Sequence, residues 1–66
     1  MQVIVNGTPQ TFPEGATVAQ LLERMALAGK RVAVERNGEI VPKSTHARAP
    51  LADGDRLEIV VAVGGG

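Results

Sequence analysis

Thr17-Val18-Ala19-Gln20-Leu21-Leu22-Glu23-Arg24-Met25 reads as a short amphipathic helix with a marked start. The hydroxyl oxygen of Thr17 can accept one of the amide protons that a first helical turn leaves unpaired. Gln20 stands three residues on, in capping-box spacing. Val18, Leu21, Leu22 and Met25 recur at i, i+3, i+4 and i+7, which lines one helical face with apolar side chains. A methionine on such a face fills core space rather than binding a cofactor. Gly29 is the expected left-handed stop. Lys30 and Arg31 follow it, near the negative end of the helix dipole.

Upstream of the helix the pattern changes from a period of 3.6 to a period of two. Residues 2–6 predict a strand with Val3 and Val5 on one face and Ile4 on the other. Asn6-Gly7 predicts a tight hairpin turn, because both residues tolerate positive φ. Residues 9–12 form the return strand, and Pro9 suits an edge, where a missing N–H costs no ladder bond. Pro13-Glu14-Gly15 breaks the strand before the helix begins.

Downstream, residues 31–36 predict another strand, with Val32 and Val34 on one side. Asn37-Gly38 repeats the turn signal before a short return segment, Glu39-Ile40-Val41. Residues 42–50 are polar and irregular, and Leu51 is the expected core plug that closes them. Asp53-Gly54-Asp55 reads as a turn rather than a metal loop, because the further oxygen ligands of a calcium motif are missing. The last strand carries Leu57, Ile59 and Val61 on one face, with Glu58, Val60 and Ala62 on the other. Apolar residues on both faces near its end place it in the middle of a sheet, or beneath a partner.

The order strand, strand, helix, strand, short strand, strand predicts an α+β domain over residues 1–63. A mixed sheet of four to five strands has one helix packed on one face. The first and last strands then lie side by side and parallel in the centre. The helix covers Val3, Val5, Val32, Val34, Leu57, Ile59 and Val61. This is a ubiquitin-like β-grasp arrangement, from which residues 64–66 project as a glycine tail.

Size and composition narrow the function. A chain of 66 residues is one domain with a small core. It has no cysteine, so neither a disulfide nor a thiolate metal site is available. Seven basic and seven acidic residues cancel, and Phe12 is the single aromatic residue, a poor basis for nucleic-acid binding. No apolar stretch reaches the roughly 18 residues of a membrane span, and no secretory signal is visible, so the expected compartment is the cytoplasm. The lone His46 has no cysteine to activate and no second histidine with which to share a metal. It is expected to be a solvent-exposed loop residue. No catalytic residue and no metal ligand is assigned, and the chain is not expected to be an enzyme.

Gly64, Gly65 and Gly66 directly follow the most apolar run of the chain. Without Cβ atoms such a tail can thread a passage too narrow for other residues, and three residues extend roughly 10 Å. Two readings stand: a frayed end or expression remnant, and a tail whose Gly66 carboxylate is the reactive group. A carboxylate is a poor electrophile, so the second reading needs activation, most simply by attack on the α-phosphate of ATP. ATP and Mg²⁺ would be held by a partner enzyme, since this sequence has no phosphate-binding loop. The other sheet face carries Ile4, Val60 and Ala62, which read equally as a modest surface cluster or as a partner-docking patch.

The chain resembles the ThiS family of sulfur carriers of thiamine biosynthesis, within the ubiquitin-like ThiS/MoaD group, over essentially its whole length. The resemblance rests on the first hairpin, the Thr17-led helix with Leu21-Leu22, and Asn37-Gly38-Glu39-Ile40-Val41-Pro42. Leu51-Ala52-Asp53-Gly54-Asp55 and the glycine end complete it. It implies a protein substrate whose Gly66 carboxyl is adenylated by a ThiF-type adenylyltransferase and converted to a thiocarboxylate. Gly64 and Gly65 would thread into the partner's active site. It further implies a cysteine desulfurase as the source of sulfur and the thiazole synthase ThiG as the acceptor. A carrier for molybdopterin synthesis or tRNA thiolation shares this chemistry with a different acceptor. A protein modifier that forms isopeptide bonds and a non-catalytic ubiquitin-like binding module are the readings from other classes.

Overall fold

A computed structural model describes residues 1–62. The expected domain end at Val63 and the tail of Gly64, Gly65 and Gly66 lie outside the described residues. The elements are strands β1 (Gln2–Val5) and β2 (Thr8–Thr11), helix α1 (Val18–Arg24), strands β3 (Val32–Arg36) and β4 (Glu39–Ile40), a 3₁₀ helix (Lys43–Arg48) and strand β5 (Arg56–Val61). They form a mixed five-stranded sheet in the order β2-β1-β5-β3-β4. β1 and β5 are parallel neighbours, with Ile4 beside Arg56 and Val5 beside Leu57. β5 is therefore internal, and Pro9 sits in the edge strand β2, where it takes no ladder bond from a neighbour.

Both Asn-Gly turns form as their sequence predicts. Asn6 and Asn37 hold φ of 49° and 52°, left-handed values that their short amide side chains tolerate. Each amide then does more than permit the turn. Asn6 Oδ1 accepts from the Ile59 N–H at 2.7 Å and Asn6 Nδ2 donates to the Ile59 carbonyl at 3.2 Å. The side chain thus continues the β1 ladder past the end of the strand. On the other side of β5, Asn37 Oδ1 accepts from the Arg56 N–H at 3.0 Å.

The capping box at the start of α1 is complete: Thr17 Oγ1 accepts from the Gln20 N–H at 3.3 Å, and Gln20 Oε1 accepts from the Thr17 N–H at 2.9 Å. The other end differs from expectation. α1 stops at Arg24 with Met25 as its cap, and the left-handed residue is Ala26 at φ 60°, not Gly29. The Ala26 N–H donates to the Glu23 carbonyl at 3.0 Å and the Leu27 N–H to the Leu22 carbonyl at 2.8 Å, the two bonds of a Schellman ending. Gly29, at φ 82°, serves the next turn, in which the Lys30 N–H donates to the Leu27 carbonyl at 3.0 Å. Lys30 and Arg31 consequently lie beyond this second turn, and Arg24 is the basic residue of the last helical turn.

The helix packs Val18, Leu21 and Leu22 onto Val3, Val5, Val34, Leu57 and Ile59, with Phe12, Ala16 and Leu51 completing the core. Leu51 is the plug that was expected, tied down where its N–H donates to the Ala16 carbonyl at 2.8 Å. Met25 and Val32 are only partly buried against this core, and Val61 is 40% exposed. Seven helical residues span about 10 Å, too short to cover the far end of β5, so Val61 lies past the shelter of the helix.

Residues 42–50 are not irregular throughout. Lys43–Arg48 forms the 3₁₀ helix, which packs against α1. His46 is part of this contact and is 7% exposed, contrary to the expected loop position. Its Nε2 lies 3.0 Å from the Val41 carbonyl oxygen, which satisfies the buried ring nitrogen. The ring faces a cleft of about 220 Å³ beside Leu22, Leu27 and Val32. Its apolar body fills space between two helices, and its nitrogen ties the segment back to the end of the β4 hairpin.

Candidate functional site

The site is the end of the sheet where β5 leaves it, together with the sheet face away from α1. Three devices fix β5 along its length. Asn6 grips it from the β1 side and Asn37 from the β3 side, as described above. Asp55, just before the strand, is 6% exposed and anchors the preceding turn. Its Oδ2 accepts from the Ala52 N–H at 2.8 Å and from Arg36 Nε at 2.8 Å, and its Oδ1 accepts from Asn37 Nδ2 at 3.1 Å. Asp53 is likewise a turn group, with Oδ1 accepting from the Gln2 N–H at 2.7 Å. Both aspartates are therefore committed to backbone and ion-pair contacts.

At its far end β5 remains attached through residue 62. The Ala62 N–H donates to the Arg31 carbonyl at 2.9 Å. The residues that follow thus start from a point held against β3, at the rim of the sheet. Around that point Arg31, Ala33, Lys43, Val60 and Ala62 line a shallow open depression of about 290 Å³. It is apolar in the middle and cationic at the edge. Val60 is 63% exposed, a large apolar side chain held in water by the regularity of the strand.

The expected cluster of Ile4, Val60 and Ala62 is divided by register. Ile4 stands beside Arg56, four residues before Val60, and a strand rises roughly 3.3 Å per residue. Ile4 and Val60 are thus roughly 13 Å apart along the strand direction, with Arg56 and Glu58 between them on the same face. Val60 and Ala62 instead share their end with Ala33, which stands directly opposite Val60. Sequence alone does not assign Ala33, Arg31 or Lys43 to this site. Strand parity assigns a face to each residue but not the position of β3 against β5, and no hairpin joins these two strands to fix it.

Among the described residues no group of three or more His, Asp or Glu side chains is placed to hold a metal ion. No helix there is long and apolar enough to cross a membrane.

A ubiquitin-like β-grasp domain, its central strand held at Ala62 beside an apolar, cation-edged rim, defines the class. The model of the ThiS family matches residues 3–66, glycines included, and the chain belongs to that family. It is 39% identical over 64 residues to the sulfur carrier protein ThiS of Thermus thermophilus, covering 97% of this chain and 98% of that one. It is 47% identical over 66 residues to the thiazole synthase of Paramagnetospirillum magneticum, covering all of this chain but 20% of that protein. The chain spans the same 20% share of the thiazole synthase of Magnetococcus marinus, at 36% identity. The crystal structure of the thiamine biosynthesis protein ThiS from Geobacter metallireducens superposes with a TM-score of 0.82 at 35% identity, covering 100% of both chains.

Proposed function

We propose that this chain is a sulfur carrier of thiamine thiazole biosynthesis, acting as a protein substrate with no catalysis of its own. The observation that carries the reading is the anchoring of the central strand at Ala62, in a chain whose family match runs on through Gly66. An oxygen of the Gly66 carboxylate attacks the α-phosphate of ATP in a ThiF-type adenylyltransferase, with Mg²⁺ neutralising the phosphates. Pyrophosphate leaves and an acyl-adenylate remains. A sulfur nucleophile, derived from cysteine through a desulfurase, then attacks the Gly66 carbonyl carbon and expels AMP. Where that nucleophile is the terminal sulfur of a persulfide, the product is an acyl disulfide; a thiol then attacks the donor's sulfur, forms a disulfide with the donor and leaves Gly66 as a thiocarboxylate.

Gly64 and Gly65 let this tail enter a closed site from which water is excluded, which protects the adenylate from hydrolysis. The acceptor is thiazole synthase. Support for that partner comes from the two thiazole synthases that contain a segment similar to the whole of this chain. A carrier segment joined to its acceptor works at high effective concentration, and the same pairing between separate chains would need a docking surface beside the tail. The cytoplasm, where ATP and the partner enzymes meet, is the proposed compartment.

The test is pyrophosphate–ATP exchange catalysed by a ThiF-type enzyme. The full chain should support exchange. A chain lacking Gly65 and Gly66 should keep its melting temperature and support none. Exchange that survives the deletion, or a deletion that unfolds the domain, refutes the assigned role of the tail.

A further inference from the structure

The sheet face away from α1 holds an arrangement that does not serve the fold. Glu35 of β3 stands directly opposite Glu58 of β5, and both side chains are exposed. Like charges facing each other across a strand pair destabilise it. Among the described residues neither carboxylate is in an ion pair; the two ion pairs recorded there involve Glu14 and Asp55. Arg56, two residues from Glu58 on the same face, is not paired with it. The acidic pair is bordered by exposed apolar side chains on two sides. Val60 and Ala33 follow it toward the rim, and Ile40, 65% exposed, stands opposite Glu35 on β4.

We propose that Glu35 and Glu58 form a clamp for a cationic side chain, best an arginine, of the ThiF-type adenylyltransferase that receives the tail, with Ile40 and Val60 as the apolar flanks of the same interface. This rests on the proposed function. Charge complementarity points to the occupant: two facing glutamates with no ion-pair partner among the described residues match the planar fork of one guanidinium, which can donate to both. Placement agrees with it. Glu58 lies four residues before Ala62, roughly 13 Å along the strand. On the proposed function the four residues beyond Ala62 reach at most about 14 Å, so a receiving enzyme must seat close to the rim. A surface on β3 and β5 meets that constraint. The repulsion in the free carrier is relieved in the complex, so binding gains what folding gives up.

The experiment pairs stability with kinetics. Wild type, the double variant Glu35→Gln/Glu58→Gln, and Glu58→Lys are melted and then assayed as substrates of a ThiF-type adenylyltransferase with ATP–Mg over a range of carrier concentrations. Both variants should melt above wild type, because repulsion is removed in the first and replaced by attraction in the second. KM for the carrier should rise about ten-fold in the double variant, as expected for loss of one charge-assisted contact, and further in Glu58→Lys. kcat at saturation should hold. An unchanged KM, a fall in kcat in place of a rise in KM, or a lower melting temperature overturns the inference. Wild-type self-association in sedimentation that the substitutions abolish also overturns it, by assigning the face to a second copy of the chain. A wild-type chain that is no substrate at all overturns the proposed function, and this inference with it.

Discussion

The Asn6 amide offers a sharp test of how β5 is held. It makes two hydrogen bonds to Ile59, at 2.7 Å and 3.2 Å, across 53 positions of sequence, while its backbone sits at φ 49°. Substitution by glycine removes both bonds but suits the left-handed backbone, so its cost isolates the side-chain contribution. At about 0.5–1.5 kcal/mol net per bond, Asn6→Gly should lose about 1–3 kcal/mol. In a domain this small, each kcal/mol lowers the melting temperature by about 4–8 °C. Asn6→Ala should lose about 1–2 kcal/mol more, because its Cβ opposes the left-handed conformation. Thermal melts rank the variants, and amide hydrogen exchange at Ile59 locates the effect: the proton should be protected in wild type and exchange faster in Asn6→Gly. If Asn6→Gly melts with wild type and Ile59 stays protected, the amide serves the turn alone and the account of β5 anchoring fails.

Other substitutions probe separate parts of the framework. Leu21 is fully buried under the sheet, so Leu21→Ala should cost about 2–5 kcal/mol in denaturant unfolding; a loss under about 1 kcal/mol would mean that the helix does not pack as described. Asp55→Ala strips acceptors from Ala52, Arg36 and Asn37 at once and should cost about 2–4 kcal/mol by the same measurement. A near-neutral result there would refute its role as the anchor of the turn before β5. Ala26→Gly should stabilise the protein by about 1 kcal/mol, since glycine is at ease at the φ of 60° that Ala26 adopts. A lower melting temperature for this variant would contradict the Schellman ending of α1.

Local chemistry made much of the fold readable. Two Asn-Gly turns, a capping box and the alternation of β5 are signals contained within a few residues, and each produced the expected element. What stayed hidden depends on partners far away in the chain. The sequence around Asn37 predicts its turn but not its bond to Arg56, because that bond requires knowing which strand lies alongside. His46 looks like a loop residue among polar neighbours, and only the docking of the 3₁₀ helix on α1 buries it. The end of α1 differs because glycine is the usual left-handed residue and the next one lies three positions further on, whereas the Schellman bonds from the Ala26 and Leu27 N–H groups, with Leu27 packed against the core, put Ala26 there instead. At the candidate site, parity put Ile4 and Val60 on one face, but register decided that Val60 stands with Ala33 near the rim.

The central claim is that Gly66 carries sulfur as a thiocarboxylate, and intact-mass spectrometry tests it directly. The full chain is incubated with ATP–Mg, a ThiF-type adenylyltransferase and a sulfide source, with the Thermus thermophilus carrier as a positive control. The account predicts a mass gain equal to one oxygen replaced by sulfur, confined on fragmentation to the C-terminal glycine. An unchanged mass in a reaction that converts the control would contradict it.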